Sequence, residues 1–148
     1  MREENIFLSE IKNGVIVTDV NCTGYVDTYT YSSLCDKYPE LWDKYKDIKK
    51  LDNSKELFGV VSRNDVASNL IVATSFSRFD EKYQVSSKRA KKEINALVKN
   101  IKSLNAWTSN QGINLYIPKH LRENRIKGEW DEILNQIKDL DVIICNQI

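Results

Sequence analysis

At 148 residues the chain has the length of one domain that can bury a core without disulfides or metals. Its charges nearly cancel, 22 Lys and Arg against 21 Asp and Glu, which argues against a dedicated nucleic-acid binder because such domains are clearly basic. A hydrophobic content of 41% supports a core, while no apolar run approaches the roughly 20 residues of a membrane-spanning helix.

In chain order, the first predicted element is a strand at Gly14-Val15-Ile16-Val17-Thr18-Asp19-Val20, bounded by turn residues. Leu34, Tyr38, Leu41, Trp42 and Tyr45 then recur at helical spacing, which predicts a helix over 31–45 with a break at Pro39. Residues 46–56 are charged and read as a surface connection. Strands are predicted at 57–62 and 70–75, joined by a turn at Arg63-Asn64-Asp65, with a polar loop over 76–84. Ser86 or Ser87 can cap the next helix, in which Ala90, Ile94, Leu97, Ile101 and Leu104 form one apolar face. Asn110-Gln111-Gly112 ends it before a strand at 113–117. The last helix is expected over 129–140, with Trp130, Ile133, Leu134 and Ile137 on one side, and Val142-Ile143-Ile144-Cys145 closes as a buried strand. Alternating strands and helices with one hairpin predict a mixed sheet between helices, an α/β/α layer structure in a single domain over 1–148.

Several stretches together carry a family resemblance. Val20-Asn21-Cys22-Thr23-Gly24 is a strand end running into a turn, with Tyr38-Pro39 closing the helix beyond it. Val72-Ala73-Thr74-Ser75-Phe76-Ser77-Arg78 is a central strand ending in small polar residues. Ile117-Pro118 leads a loop that ends at Gly128-Glu129-Trp130. In order and spacing these resemble the macro domain, the ADP-ribose-binding module. The nearest branch is that of the ADP-ribosyl hydrolases and the ADP-ribose 1″-phosphate phosphatases. The resemblance implies a three-layer mixed sheet and a ligand at the C-terminal ends of its strands. The chain departs from the family on the ligand side. Asp27-Thr28-Tyr29 stands where the family has its first Gly-x-Gly, and residues 119–127 replace the second. Those glycines let backbone N–H groups approach the ribose and pyrophosphate.

The candidate ligand residues are Asn21, Cys22, Gly24, Tyr25, Phe76, Ser77 and Arg78, at positions matching the resemblance or beside them, and Arg122, Arg125 and Lys127, from the density of cations before a predicted helix. Asn21 could hold a ribose hydroxyl or simply cap its turn. Gly24 serves a backbone conformation even if a ligand lies above it. Lys119, Arg122, Arg125 and Lys127 could hold a phosphate beside a helix start through charge-assisted bonds, or could form a solvated basic loop. Tyr25, Tyr29, Tyr31, Phe76 and Phe79 could stack on a flat ligand or fill the space that a lost ligand once used. The catalytic candidates are Asn21, Glu123 and His120, the last because an imidazole titrates near working pH. Asp27 and Glu123 would face each other if both loops line the cleft.

The basic residues Lys88, Arg89, Lys91, Lys92, Lys99 and Lys102 give one helix a positive face, usually the solvated side of such a helix. Cys22, Cys35 and Cys145 lack a CxxC pattern and read as reduced thiols. With His120 the single histidine, neither metal nor cofactor is expected. The first residues, Met1-Arg2-Glu3-Glu4, lack a signal-peptide apolar stretch, so the expected location is the cytoplasm, with no membrane association and no nucleic-acid partner. The leading functional expectation is binding of an ADP-ribose-type nucleotide. The alternatives are an ADP-ribosyl hydrolase or 1″-phosphate phosphatase, and a macro scaffold with a filled pocket that contacts a protein partner.

Overall fold

Two apolar stripes on β2 (Gly14–Asn21) organise the molecule, because successive strand residues point to opposite sides. Val15 and Val17 face one side, and Ile16 and Val20 face the other. A strand with both faces covered lies inside a sheet. In the computed structural model, which describes residues 1–22, 29–51, 54–79, 86–122 and 127–147, the remaining strands are β1 (Arg2–Phe7), β3 (Val61–Ala67), β4 (Leu70–Arg78), β5 (Leu115–Pro118) and β6 (Ile143–Asn146). The sheet order is β1-β6-β5-β2-β4-β3. Only β3 runs antiparallel, against β4.

Helices cover both faces. On one side α1 (Tyr29–Lys37) and α2 (Glu40–Leu51), with the short α3 (Ser54–Leu57), bury Tyr31, Leu34, Leu41, Tyr45 and Leu57 against Ile16, Val72 and Phe76. On the other, α4 (Ser87–Gln111) and α5 (Glu129–Ile137) bury Ile94, Leu97, Ile101, Trp130 and Ile133 against Val15, Val17, Ala73 and Ile117. This is the expected α/β/α arrangement. Ser86 caps α4 by accepting from the Arg89 N–H, and Gly112 ends it in the left-handed region at φ 68°.

Several details differ from the sequence reading; the strand expected over 57–62 begins only at Val61, and Leu57 ends α3. Residues 46–51 of the expected surface connection are helical: α2 continues to Leu51, with Ile48 extending the stripe begun by Leu41 and Tyr45. The hairpin turn is Ser68-Asn69, and Arg63-Asn64-Asp65 lies within β3. Those polar residues belong to an edge strand, where charges on the open side block unwanted pairing. The loop expected from 76 begins later, since Phe76, Ser77 and Arg78 complete β4 in the core. Finally, β1 has no counterpart in the sequence reading. It is the other edge strand, and Arg2, Glu3 and Glu4 conceal its pattern.

The chain leaves the adjacent central strands β2 and β5 toward opposite faces, to α1 and to α5 respectively. A parallel sheet opens a crevice at such a point, outside the strand C-termini.

Candidate functional site

The C-terminal edge of the sheet collects Asn21, Arg78 and Pro118, with Asn146 and Phe7 at the ends of β6 and β1. Most residues expected to bind a ligand come together here, yet they are buried. Asn21, Cys22, Phe76, Ser77, Arg78 and Arg122 all belong to the interior. Tyr45 of α2 donates its hydroxyl to the Asn21 carbonyl at 2.9 Å, which ties the end of β2 to the helix layer. The Cys22 thiol lies 3.8 Å from the Phe76 carbonyl, and the Cys22 N–H donates to the Arg78 carbonyl. Phe76 stacks in parallel on Tyr45, and Tyr31 packs at 5.8 Å against the same ring. Tyr31 and Phe76 therefore fill the core rather than the mouth. Tyr29 is 60% exposed, and Phe79 is half-buried and stacked on Phe58.

Arg122 departs most from expectation. Its side chain turns inward and is 1% exposed, so it is not an open loop cation. Nε donates to Glu129 Oε1 at 2.6 Å and one terminal nitrogen donates to Glu93 Oε1 at 2.6 Å. The other donates to Asp19 Oδ2 at 3.2 Å and to the Ser77 carbonyl at 3.3 Å. Asp19 also accepts from the Ser77 hydroxyl, Ser77 meets Ser75 at 3.0 Å, and Asn100 donates to Ser75 at 2.9 Å. The second Glu93 oxygen accepts the Phe79 N–H. One guanidinium thus joins β2, β4, α4 and α5 to the loop after β5. Burial opposes the charge on Arg122, but Asp19, Glu129 and Glu93 outweigh it and its pKa rises. Burial raises the pKa of Asp19, and Arg122, Arg78 and Ser77 offset this only in part.

The sequence reading missed Asp19, Glu93 and Glu129 as a set. A usable signal was present, since a carboxylate inside the run Gly14-Val15-Ile16-Val17-Thr18-Asp19-Val20 demands a cation somewhere in the fold. Burial lifts the Cys35 thiol to about 11 and the Cys145 thiol to about 12, so both are neutral at pH 7. His120 is exposed, has φ 57°, and sets its ring 5.7 Å from Trp130. Lys127 is exposed just ahead of α5. Gly24, Tyr25, Asp27, Glu123 and Arg125 lie outside the described residues.

The space at this edge lies beside α1. A cavity of about 480 Å³ opens between Leu8 and Ser9, which follow β1, and Tyr29, Ser33, Leu34, Asp36 and Lys37 of α1. Tyr29, Ser33, Asp36 and Lys37 recur at i, i+4, i+7 and i+8, so one helical face lines the opening. Lys37 donates to the Ser9 carbonyl at 2.7 Å and holds that wall to the helix. Of these residues the sequence marked Tyr29 as a possible stacking group and Leu34 as part of an apolar helix face; Ser9, Ser33, Asp36 and Lys37 have the composition of ordinary surface and gave no signal.

No family profile and no curated protein matches the chain. Solved structures do. A protein from Bacteroides thetaiotaomicron superposes with a TM-score of 0.72 at 18% identity, over 97% of this chain and 99% of that one. The macrodomain of Thermus aquaticus DarG superposes with a TM-score of 0.63 at 12% identity, over 99% of both chains. The chain has the macrodomain fold. A third structure, Thermosipho africanus DarTG in complex with ADP-ribose, superposes with a TM-score of 0.54 at 17% identity, over 92% of this chain and 38% of that one. Identities this low make the likeness one of fold, and function has to be argued from this chain's own site.

Proposed function

We propose that this macrodomain binds ADP-ribose or a close derivative in the cavity beside α1. The observation that carries the proposal is the composition of the cavity wall: an exposed tyrosine, two serines and a carboxylate converge on a space of about 480 Å³ at the C-terminal edge of the sheet. A nucleotide offers matching groups. Tyr29 can stack on a base, Asp36 can accept from an exocyclic amine, and Ser9 and Ser33 can bond hydroxyls. Phosphate charge would fall to Lys37 and to the loop cations Arg125 and Lys127. Gly24 and Tyr25 are candidates for the same pocket on sequence grounds alone. Asn21, Phe76, Ser77 and Arg78 are buried at the strand ends and stand outside the cavity wall, and Arg122 shapes the loop without touching the phosphates.

Thermal unfolding against ADP-ribose, its 1″-phosphate, NAD, ATP and AMP tests the proposal. A ligand at about 100 times its dissociation constant stabilises the fold by about 2.7 kcal/mol, a rise of roughly 5–10 °C for this size. The expected result is a shift with ADP-ribose-type ligands that weakens about tenfold in affinity with Tyr29→Ala, the cost of one lost stacking contact. A flat response across the panel would instead support the filled-pocket reading, which the core positions of Tyr31 and Phe76 favour.

A further inference from the structure

The near-zero net charge of the chain conceals a sharp segregation. Helix α4 carries Lys88, Arg89, Lys91, Lys92, Lys99 and Lys102 and a single acid, Glu93. Glu93 is fully buried, with its oxygens on Arg122 and on the Phe79 N–H. The exposed surface of α4 therefore holds positive charge alone. Four of the six cations stand in its first two turns, where the helix dipole disfavours them. Lys88, Lys91, Lys92, Lys99 and Lys102 make no salt bridge among the described residues. Nothing described in the fold offsets the cost of this arrangement.

Geometry turns the charges into a track. At 100° per residue Lys88, Lys91, Lys92, Lys99 and Lys102 fall within about 100° of arc, and Lys88 to Lys102 spans about 21 Å along the axis. At the upper end, a second cavity of about 340 Å³ is lined by Phe79, Ser86, Lys88, Arg89 and Lys92. Aromatic surface is concentrated there: Phe79 stacks on Phe58 at 4.1 Å, and the Arg89 guanidinium lies 4.9 Å from the Phe79 ring centre. A row of cations ending in a stack of flat groups suits a chain that alternates anionic links with flat bases. An acidic peptide would use the cations and leave the stack idle.

We propose that the outward face of α4 binds a single-stranded polynucleotide, with its phosphates along Lys88, Lys92, Lys99 and Lys102 and a base against the Phe58–Phe79–Arg89 stack. The proposal is independent of the nucleotide cavity beside α1, which lies on the other face of the sheet.

Fluorescence anisotropy with the full chain and a labelled single strand of about 20 nucleotides of mixed sequence, repeated over a range of salt, provides the test. Binding should weaken with salt. Replacing Lys88, Lys92, Lys99 and Lys102 by Gln should lower affinity at least tenfold and flatten the log–log salt slope by about 3, at roughly 0.7 per lost phosphate contact on a single strand. These side chains are exposed and two of them oppose the helix dipole, so the variant should match or exceed the thermal midpoint of the parent. A duplex of the same sequence should bind more weakly, since its bases are not available to the stack. The proposal is overturned if the Gln variant binds as the parent does, or if the duplex binds as well as the single strand. It is equally overturned if a labelled poly-glutamate of the same length binds as tightly, which would assign the face to an acidic protein.

Discussion

Arg122 decides more about this molecule than any other side chain. A cation in a polar loop reads from sequence as a phosphate ligand, but here the fold consumes it internally. Three carboxylates from β2, α4 and α5 surround one guanidinium, all four side chains fully buried. Removing the partner of a buried charge costs about 3–5 kcal/mol because the remaining charges stay unpaired. Arg122→Met should therefore lower the thermal midpoint by on the order of 10 °C. Arg2→Met, which removes an exposed pair with Asp141 at 3.5 Å, should cost less than about 1 kcal/mol. Comparable losses in the two variants would refute the buried role. Asp19 adds a pH dependence of known sign. Its pKa is raised in the folded chain, chiefly by burial, so the folded state holds the proton more tightly than the unfolded one. That contribution is complete below the unfolded pKa and is lost as pH rises through the folded one. Denaturant unfolding from about pH 4 upward should register this loss. Asp19→Asn, which cannot ionise, should flatten the profile; an unchanged profile would mean that Asp19 does not carry the proton.

Among the elements, what could be read from sequence depended on burial. The apolar stripes of β2, α4 and α5 repeat with the period of their structure, and all three stand where the pattern puts them. The edge strands β1 and β3 were obscured because charged residues on open edges resemble loops. Helix α2 was cut short because charged residues outnumber apolar ones in its last turns. Register along β2 rests on Gly14. Its φ of 113° suits glycine, and a Cβ there would meet the Asn114 carbonyl oxygen at 2.7 Å. That oxygen accepts the Val15 N–H at 2.9 Å, the first bond holding β2 to β5. Gly14→Ala should thus combine backbone strain with a steric conflict, about 2–4 kcal/mol in all. Hydrogen exchange should accelerate at Val15 and Tyr116 before it does at β4, and uniform acceleration across the sheet would contradict a local effect.

For the molecule as a whole, the fold was legible and the site only in part. Order and spacing of elements led to the macrodomain resemblance, and the sheet order and structural neighbours agree with it. The candidate site was legible only as far as which strand ends meet. Asn21, Phe76, Ser77 and Arg78 do gather at one edge, but linear sequence does not reveal that they face inward. The residues that line the open cavity sit on the polar side of α1, where ordinary surface residues and ligand contacts have the same composition. Charge follows the same rule at larger scale: totals near balance hide a helix that is positive on its whole outer face. Function on this scaffold turns on whether the cavity beside α1 receives an ADP-ribose-type nucleotide, as proposed. Titrating ADP-ribose into the isotopically labelled chain and following backbone amide resonances tests it most directly. Saturable shifts centred on Ser9, Tyr29, Ser33, Asp36 and Lys37 are expected. Shifts centred elsewhere, or none at millimolar ligand, would contradict it.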